Sequence, residues 1–195
     1  MPTLYIIAGP PGIGKTTNAR IFVDERIFVE NSDILALTLK NQGEDDYQEI
    51  AFEQLRINAE SNCKRGIDFG IELNLGCQIP HYSYVNYWHS KYGYDLDVTL
   101  FFTDTIALCI DRAYQREKYG GHRVAEQVIR EMYEQTISLL RKNISTISHL
   151  QFVHVTYNAV ELVYSGYYPS GNHEFISPVL PNWISQNFPE LIGQV

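Results

Sequence analysis

The densest chemical signal in the chain lies near its start. Gly9-Pro10-Pro11-Gly12-Ile13-Gly14-Lys15-Thr16 fits the spacing G-x-x-x-x-G-K-[ST]. Glycines at those positions let the backbone wrap so that successive N–H groups face an anion. A helix beginning behind them adds its positive end. Lys15 would then bridge the β- and γ-phosphates of a nucleotide, and the Thr16 hydroxyl would ligate Mg²⁺. Gly9, Gly12, Ile13, Gly14, Lys15, Thr16 and Thr17 are the expected contacts, with ATP and Mg²⁺ the expected ligands. The dinucleotide fingerprint G-x-G-x-x-G is absent.

Chemistry on a bound nucleotide needs further groups. Asp33, in Asn31-Ser32-Asp33, follows a short strand candidate and has two readings. It is a base that takes a proton from an attacking hydroxyl, or an N-cap for the helix that follows. Glu72, in Gly70-Ile71-Glu72-Leu73-Asn74, interrupts an apolar strand near its C-terminal end, as a substrate contact or as a solvated residue at the strand mouth. Arg112 and Arg116 stand one helical turn apart, in the most basic stretch of the chain, and can face one anionic target. Gly120-Gly121 then breaks the helix, so a mobile lid carrying Arg112, Arg116 and His122 over a transferring phosphoryl is one reading. An exposed helix whose arginines pair with Asp111, Glu117 and other acids is the other. His81, His89, His149, His154 and His173 show no metal-ligand spacing.

The elements that must position these groups alternate between strand and helix. Strands are expected at Thr3–Ala8, Arg26–Glu30, Ile67–Leu75, Leu96–Phe102 and Leu150–Thr156, with Val160–Tyr164 a short antiparallel edge strand. Helices are expected over 15–24, 44–64, 105–118 and 123–147. That alternation implies βαβ units, hence an α/β fold with a mostly parallel sheet and helices on both faces. The carboxyl ends of such strands face one crevice, which gathers the loop, Asp33 and Glu72.

At 195 residues the chain fits a single domain. From about residue 165 the tail changes character, with Pro169, Pro178, Pro181 and Pro189 among Tyr167, Tyr168, Trp183 and Phe188. Docking of these aromatics on the core is expected, with a partner-binding surface as the alternative. Hydrophobic content of 45% excludes disorder, and no run approaches the ~18 apolar residues of a membrane span. The N-terminus has no basic flank and meets a glycine early, so no secretory signal is read. Three cysteines without CxxC spacing fit thiols in a reducing cytoplasm. A net charge of −8 argues against general nucleic-acid binding.

Taken together, AGPPGIGKTT, NSD, FGIELNL, GGHRVAEQVI and VTYNA, in that order across about residues 3–158, resemble the zeta-toxin family of P-loop small-molecule kinases. The resemblance implies a P-loop NTPase-type sheet. It also implies ATP-dependent phosphorylation of a metabolite hydroxyl, that of a UDP-N-acetylsugar such as UDP-N-acetylglucosamine being the family's best-known acceptor. By this resemblance Lys15 binds phosphates, Thr16 ligates Mg²⁺ and Asp33 is the base. Glu72 and Asn74 meet the acceptor, and Arg112, Arg116 and His122 form the lid. A toxin–antitoxin setting, with a small antitoxin protein as partner, is the associated expectation. The family's acid-Thr-Thr on the third strand is Glu72-Leu73-Asn74 here, the proline common after GGH-x-V is Ala125, and its Asp-Asn is Tyr157-Asn158. A competing reading is an ATP-binding switch, or degenerate kinase, that transfers little.

Overall fold

The apolar run Thr3–Ala8 becomes β1, near the centre of a seven-stranded sheet, in a computed structural model that describes residues 1–121, 123–167 and 171–192. After it come α1 (Lys15–Asn18), β2 (Val29–Glu30), α2 (Ser32–Asn41), α3 (Tyr47–Arg65), β3 (Phe69–Leu73) and α4 (Ser83–Tyr92). The chain continues through β4 (Asp95–Phe102), α5 (Ile106–Lys118), α6 (Glu126–Asn143), β5 (His149–Val155), β6 (Val160–Tyr167), β7 (His173–Ile176), α7 (Asn182–Asn187) and α8 (Pro189–Ile192). Strand order is β2-β3-β1-β4-β5-β6-β7, parallel through β5 and antiparallel at β6 and β7. Helices cover both faces, so the α/β, mostly parallel reading holds.

The pleat of β1 explains how one strand serves two cores. Leu4, Ile6 and Ala8 face a cluster with Leu55, Ala59 and Cys63 of α3, Val85 and Trp88 of α4, and Ile137 and Leu140 of α6. Ile7 faces the opposite cluster, with Ile13, Leu108, Cys109 and Ala113. Each large apolar side chain so buried contributes roughly 1.5–3 kcal/mol. Because β1 is anchored on both faces, the loop leaving Ala8 starts from a fixed point.

Several boundaries differ from expectation for local reasons. The helix expected over 15–24 stops at Asn18 and continues as a tight turn through Ile21. Asn18 Nδ2 donates to Gly14 O at 2.8 Å, a side-chain bond that competes with helix propagation. The strand expected from Arg26 begins only at Val29, because Arg26 N and Nε both donate to Asp24 and Ile27 N closes a turn on Asp24 O. No helix was read at α4, whose aromatic and polar residues have poor helix propensity; burial of Val85 and Trp88 holds it. Nor is β6 the edge strand expected, since it runs on to Tyr167 and is covered by β7. Beyond it, Trp183 and Phe188 pack on Phe152 with centroids 5.1 and 4.7 Å away. Tyr168 and Pro169 lie outside the described residues.

At the end of the sheet remote from the glycine-rich loop, His149 ties four strands together. Its Nδ1 lies 3.0 Å from Asp97 Oδ2, and its Nε2 faces Ser165 Oγ at 3.1 Å and Glu174 Oε2 at 3.3 Å. The hydrogen bond to Asp97, with support from Glu174, raises the imidazole pKa above its ordinary 6.5 despite burial. A raised folded-state pKa means stabilisation that is fully present below about pH 6.5 and lost as pH rises through the folded value. Thermal melts of wild type and His149→Gln should therefore converge as pH rises through that window. A stability difference independent of pH would show that the imidazolium contributes nothing.

Candidate functional site

Leaving β1, the loop turns through glycines into α1. Gly14 sits at φ 101° immediately before Lys15, a conformation L side chains rarely adopt. Gly12, at φ 81°, passes so close to α5 that a Cβ would lie 2.1 Å from Cys109 O. Gly12→Ala therefore combines left-handed strain with a backbone clash. It should cost about 2–4 kcal/mol of stability, read from the denaturant midpoint. A midpoint equal to wild type would show that the loop is not held this tightly.

Lys15 is only 6% exposed, and its ammonium uses its donors inward. Nζ donates to Gly9 O at 2.8 Å, Pro10 O at 3.1 Å and Asn74 Oδ1 at 3.0 Å, with Glu72 Oε1 at 4.0 Å. Burial pushes the Lys15 pKa down, opposed by the carboxylates of Glu72 and Asp33. The same burial pushes the Glu72 carboxyl up, opposed by the Lys15 charge and by hydrogen bonds from Thr16 and Asn31. β1 and β3 are adjacent and parallel, with Ala8 opposite Leu73, which brings the loop and Glu72 together.

The remaining contacts converge on Asn31, at the end of β2. Its Nδ2 donates to Thr16 Oγ1 at 3.1 Å and to Glu72 Oε2 at 2.8 Å; its Oδ1 accepts from Asp33 N at 2.8 Å. Asn31 is thus the N-cap of α2, and Asp33 is not; the capping alternative for Asp33 falls to its neighbour. Thr16 Oγ1 also donates to the Glu72 carboxylate at 2.9–3.0 Å. A hydroxyl beside a carboxylate oxygen is a hard-oxygen donor set of the type Mg²⁺ prefers, so these residues fit the ion.

Arg112 and Arg116 do not share a target. Arg112 donates to Ile13 O at 3.1 Å and Thr156 O at 2.9 Å, which staples the loop to the segment after β5. Arg116 Nη1 lies 3.8 Å from Asp33 Oδ2, while its Nε and Nη2 are buried without a hydrogen-bond partner. Gly121 packs on Arg116, where a Cβ would lie 2.6 Å from Arg116 Cγ. Pairing with Asp111 and Glu117 is not what either arginine does: Tyr157 Oη donates to Asp111, and Glu117 meets Arg123 at 3.5 Å. His122 lies outside the described residues.

These groups line a cleft of about 920 Å³, which holds Gly12, Gly14, Lys15, Thr16, Thr17, Asp33, Glu72, Asn74, Arg112 and Arg116 among its walls. Gly9 and Ile13 are buried. Gln48, Val124, Val128, Met132 and Tyr157–Val160 also line the cleft, and sequence reasoning gave none of them a place in the site. Val128 and Met132 lie four apart on α6, a spacing that puts them on one helix face without revealing which side of that face stays open.

No protein-family model matches the chain, and no curated protein does. Solved structures do match. A protein from Chloroflexus aurantiacus assigned to the kinases superposes with a TM-score of 0.60 at 17% identity, covering 80% of this chain and 90% of that one. The PezAT toxin–antitoxin system of Streptococcus pneumoniae gives 0.64 at 16% identity, with 100% and 86% covered. An AvrRxo1-ORF1:ORF2 complex with ATP gives 0.62 at 13% identity, with 85% and 58% covered. The chain spans only 46% of the length of a matching chain in the Pnkp1/Rnl/Hen1 RNA repair complex, at a TM-score of 0.57 and 20% identity. At such identities the likeness establishes the fold alone, an α/β sheet of the P-loop NTPase type.

Proposed function

We propose that this chain is an ATP-dependent small-molecule kinase of zeta-toxin type, which transfers the γ-phosphate of ATP to a hydroxyl of a metabolite. One observation carries the reading: Lys15, Thr16, Asp33 and Arg116 open onto a single cleft. A nucleotide sensor needs the first two; a carboxylate beside an unsatisfied guanidinium serves transfer.

In this mechanism the loop N–H groups and Lys15 hold the β- and γ-phosphates, for which Lys15 releases its loop carbonyls. Mg²⁺, held at Thr16 with Glu72 and Asn31 behind it, would neutralise phosphate charge and orient the γ-phosphoryl. Asp33 takes the acceptor's hydroxyl proton as the oxygen bonds to the γ-phosphorus. The bond to the β–γ bridging oxygen breaks, leaving ADP and a phosphate monoester. Arg116 turns its two unpaired nitrogens onto the equatorial oxygens, where charge accumulates.

The two arginines should then separate kinetically. Arg112→Ala removes the staple between Ile13 and Thr156 and should raise KM for ATP. Arg116→Ala should leave KM close to wild type and lower kcat by roughly 10²–10³. Equal kcat in Arg116→Ala and wild type would remove Arg116 from the chemistry.

The acceptor that the resemblance implies is a UDP-N-acetylsugar, and Glu72 and Asn74 are its proposed contacts. An antitoxin that binds the chain is the proposed partner, in line with the PezAT likeness, and the cytoplasm is the proposed location. Among the described residues no helix is long and apolar enough to cross a membrane. The direct test is ADP release from Mg-ATP across hydroxylated metabolites, UDP-N-acetylglucosamine included. Absence of any release that depends on Lys15 would overturn the kinase reading.

A further inference from the structure

All three donors of the Lys15 ammonium are spent on the protein itself. Two go to carbonyls of its own loop, Gly9 O at 2.8 Å and Pro10 O at 3.1 Å. The third crosses 59 residues of sequence to Asn74 Oδ1, at 3.0 Å, just past the end of β3. A lysine held in this way must break at least one bond to meet a β- or γ-phosphate. The bond to Asn74 is the one a second molecule can reach, because Asn74 lines the cleft. Nor can Asn74 follow the lysine. Leu75, next in the chain, is buried in the core shared with α3 and α4, at φ 50°, a left-handed conformation costly for a bulky side chain. Gly76 backs onto α6, where a Cβ would lie 2.8 Å from Met132 Cβ. Asn74 is therefore aimed at Lys15 from a fixed backbone, and their bond is kept or lost as a whole.

We propose that Asn74 is a positioning residue that withholds Lys15 from the phosphates until an acceptor's hydroxyl or N–H takes over its Oδ1. This rests on the kinase reading and gives that site a way to couple its two substrates. Once the acceptor donates to Oδ1, one N–H of Lys15 turns to the γ-phosphate. ATP and acceptor then tighten each other's binding by the same factor. The arrangement also holds back transfer to water. In that reaction the water oxygen gains the phosphoryl, Asp33 takes the proton, and ADP leaves beside inorganic phosphate. Without an acceptor at Asn74, the γ-phosphoryl lacks the lysine charge that would assist it.

The test compares the full chain with Asn74→Ala and Asn74→Leu, the second of which keeps most of the side-chain volume. Calorimetry with Mg-AMPPNP, a non-hydrolysable ATP analogue, should show about tenfold tighter binding in both variants than in wild type, with no acceptor present. Melting separates this effect from a packing defect. Without nucleotide both variants should melt below wild type; at saturating Mg-AMPPNP the three should converge, since each has then given up the bond. Acceptor-free ADP release from Mg-ATP should rise several-fold in the variants. Saturating UDP-N-acetylglucosamine should tighten Mg-AMPPNP binding about tenfold in wild type and leave the variants unmoved. Unchanged or weaker Mg-AMPPNP binding in the folded variants would overturn the proposal, as would a melting deficit that persists with the analogue bound. Tighter binding in the variants, with no response of wild type to the nucleotide sugar, would overturn the acceptor's part in the release. Those results leave the kinase reading intact; only ADP release that does not depend on Lys15 overturns that reading.

Discussion

Lys15→Ala should abolish phosphoryl transfer and cost roughly 2–3 kcal/mol of ATP affinity, the typical loss of a charge-assisted contact. The structure adds a consequence that the motif alone does not carry. Removing the ammonium strips Glu72 of the cation 4.0 Å from its carboxylate, in a place where burial already pushes that carboxyl up. In the variant the Glu72 pKa rises further. Its stability relative to wild type should then be greatest at acidic pH and fall as pH rises through the new Glu72 value. Adding Glu72→Gln should restore stability at neutral pH while leaving ATP affinity low. Calorimetry giving wild-type affinity in a folded Lys15→Ala protein would remove the phosphate-binding role. If affinity and stability recovered together in the double variant, the single loss would be one of folding.

The same residues explain why part of the site was legible in the sequence and part was not. The loop is read by local rules, because glycine spacing and the following lysine are set within eight residues. Thr3–Ala8 appears as a strand with the expected ends because an unbroken apolar run bounded by glycine has few alternatives. Asn31 is different. Its three hydrogen bonds need the end of β2, the loop after β1 and the end of β3 to meet, and only the assembled sheet brings these together. Arg112 illustrates the reverse problem. Its spacing from Arg116 correctly puts both on one helix, yet each turns to a different partner, because the loop carbonyl of Ile13 lies beside one and Asp33 beside the other. Helix periodicity specifies a face, and tertiary contacts choose among the atoms that the face meets. The outer edge of the sheet was unreadable for a similar reason: β7 is four residues, three of them exposed, whose strand character comes from pairing with β6.

Asp33→Asn isolates the chemical step. The capping bond at the start of α2 runs from the Asp33 backbone N–H to the Asn31 side chain, so the substitution leaves it in place. Among the described residues the ion pair lost is that with Arg116 at 3.8 Å, on a side chain more than half exposed, and exposed pairs contribute at most about 1 kcal/mol. Fold and ATP affinity should therefore persist. The amide cannot accept the hydroxyl proton, so kcat should fall by about 10²–10⁴. Asn31→Ala supplies the contrast, since it removes the cap and the bonds to Thr16 and Glu72 together and should reduce stability as well as rate. If Asp33→Asn turns over at the wild-type rate on the best acceptor, the base is another group. If both variants lose rate but only Asn31→Ala loses stability, Asp33 acts on the hydroxyl and Asn31 holds it there.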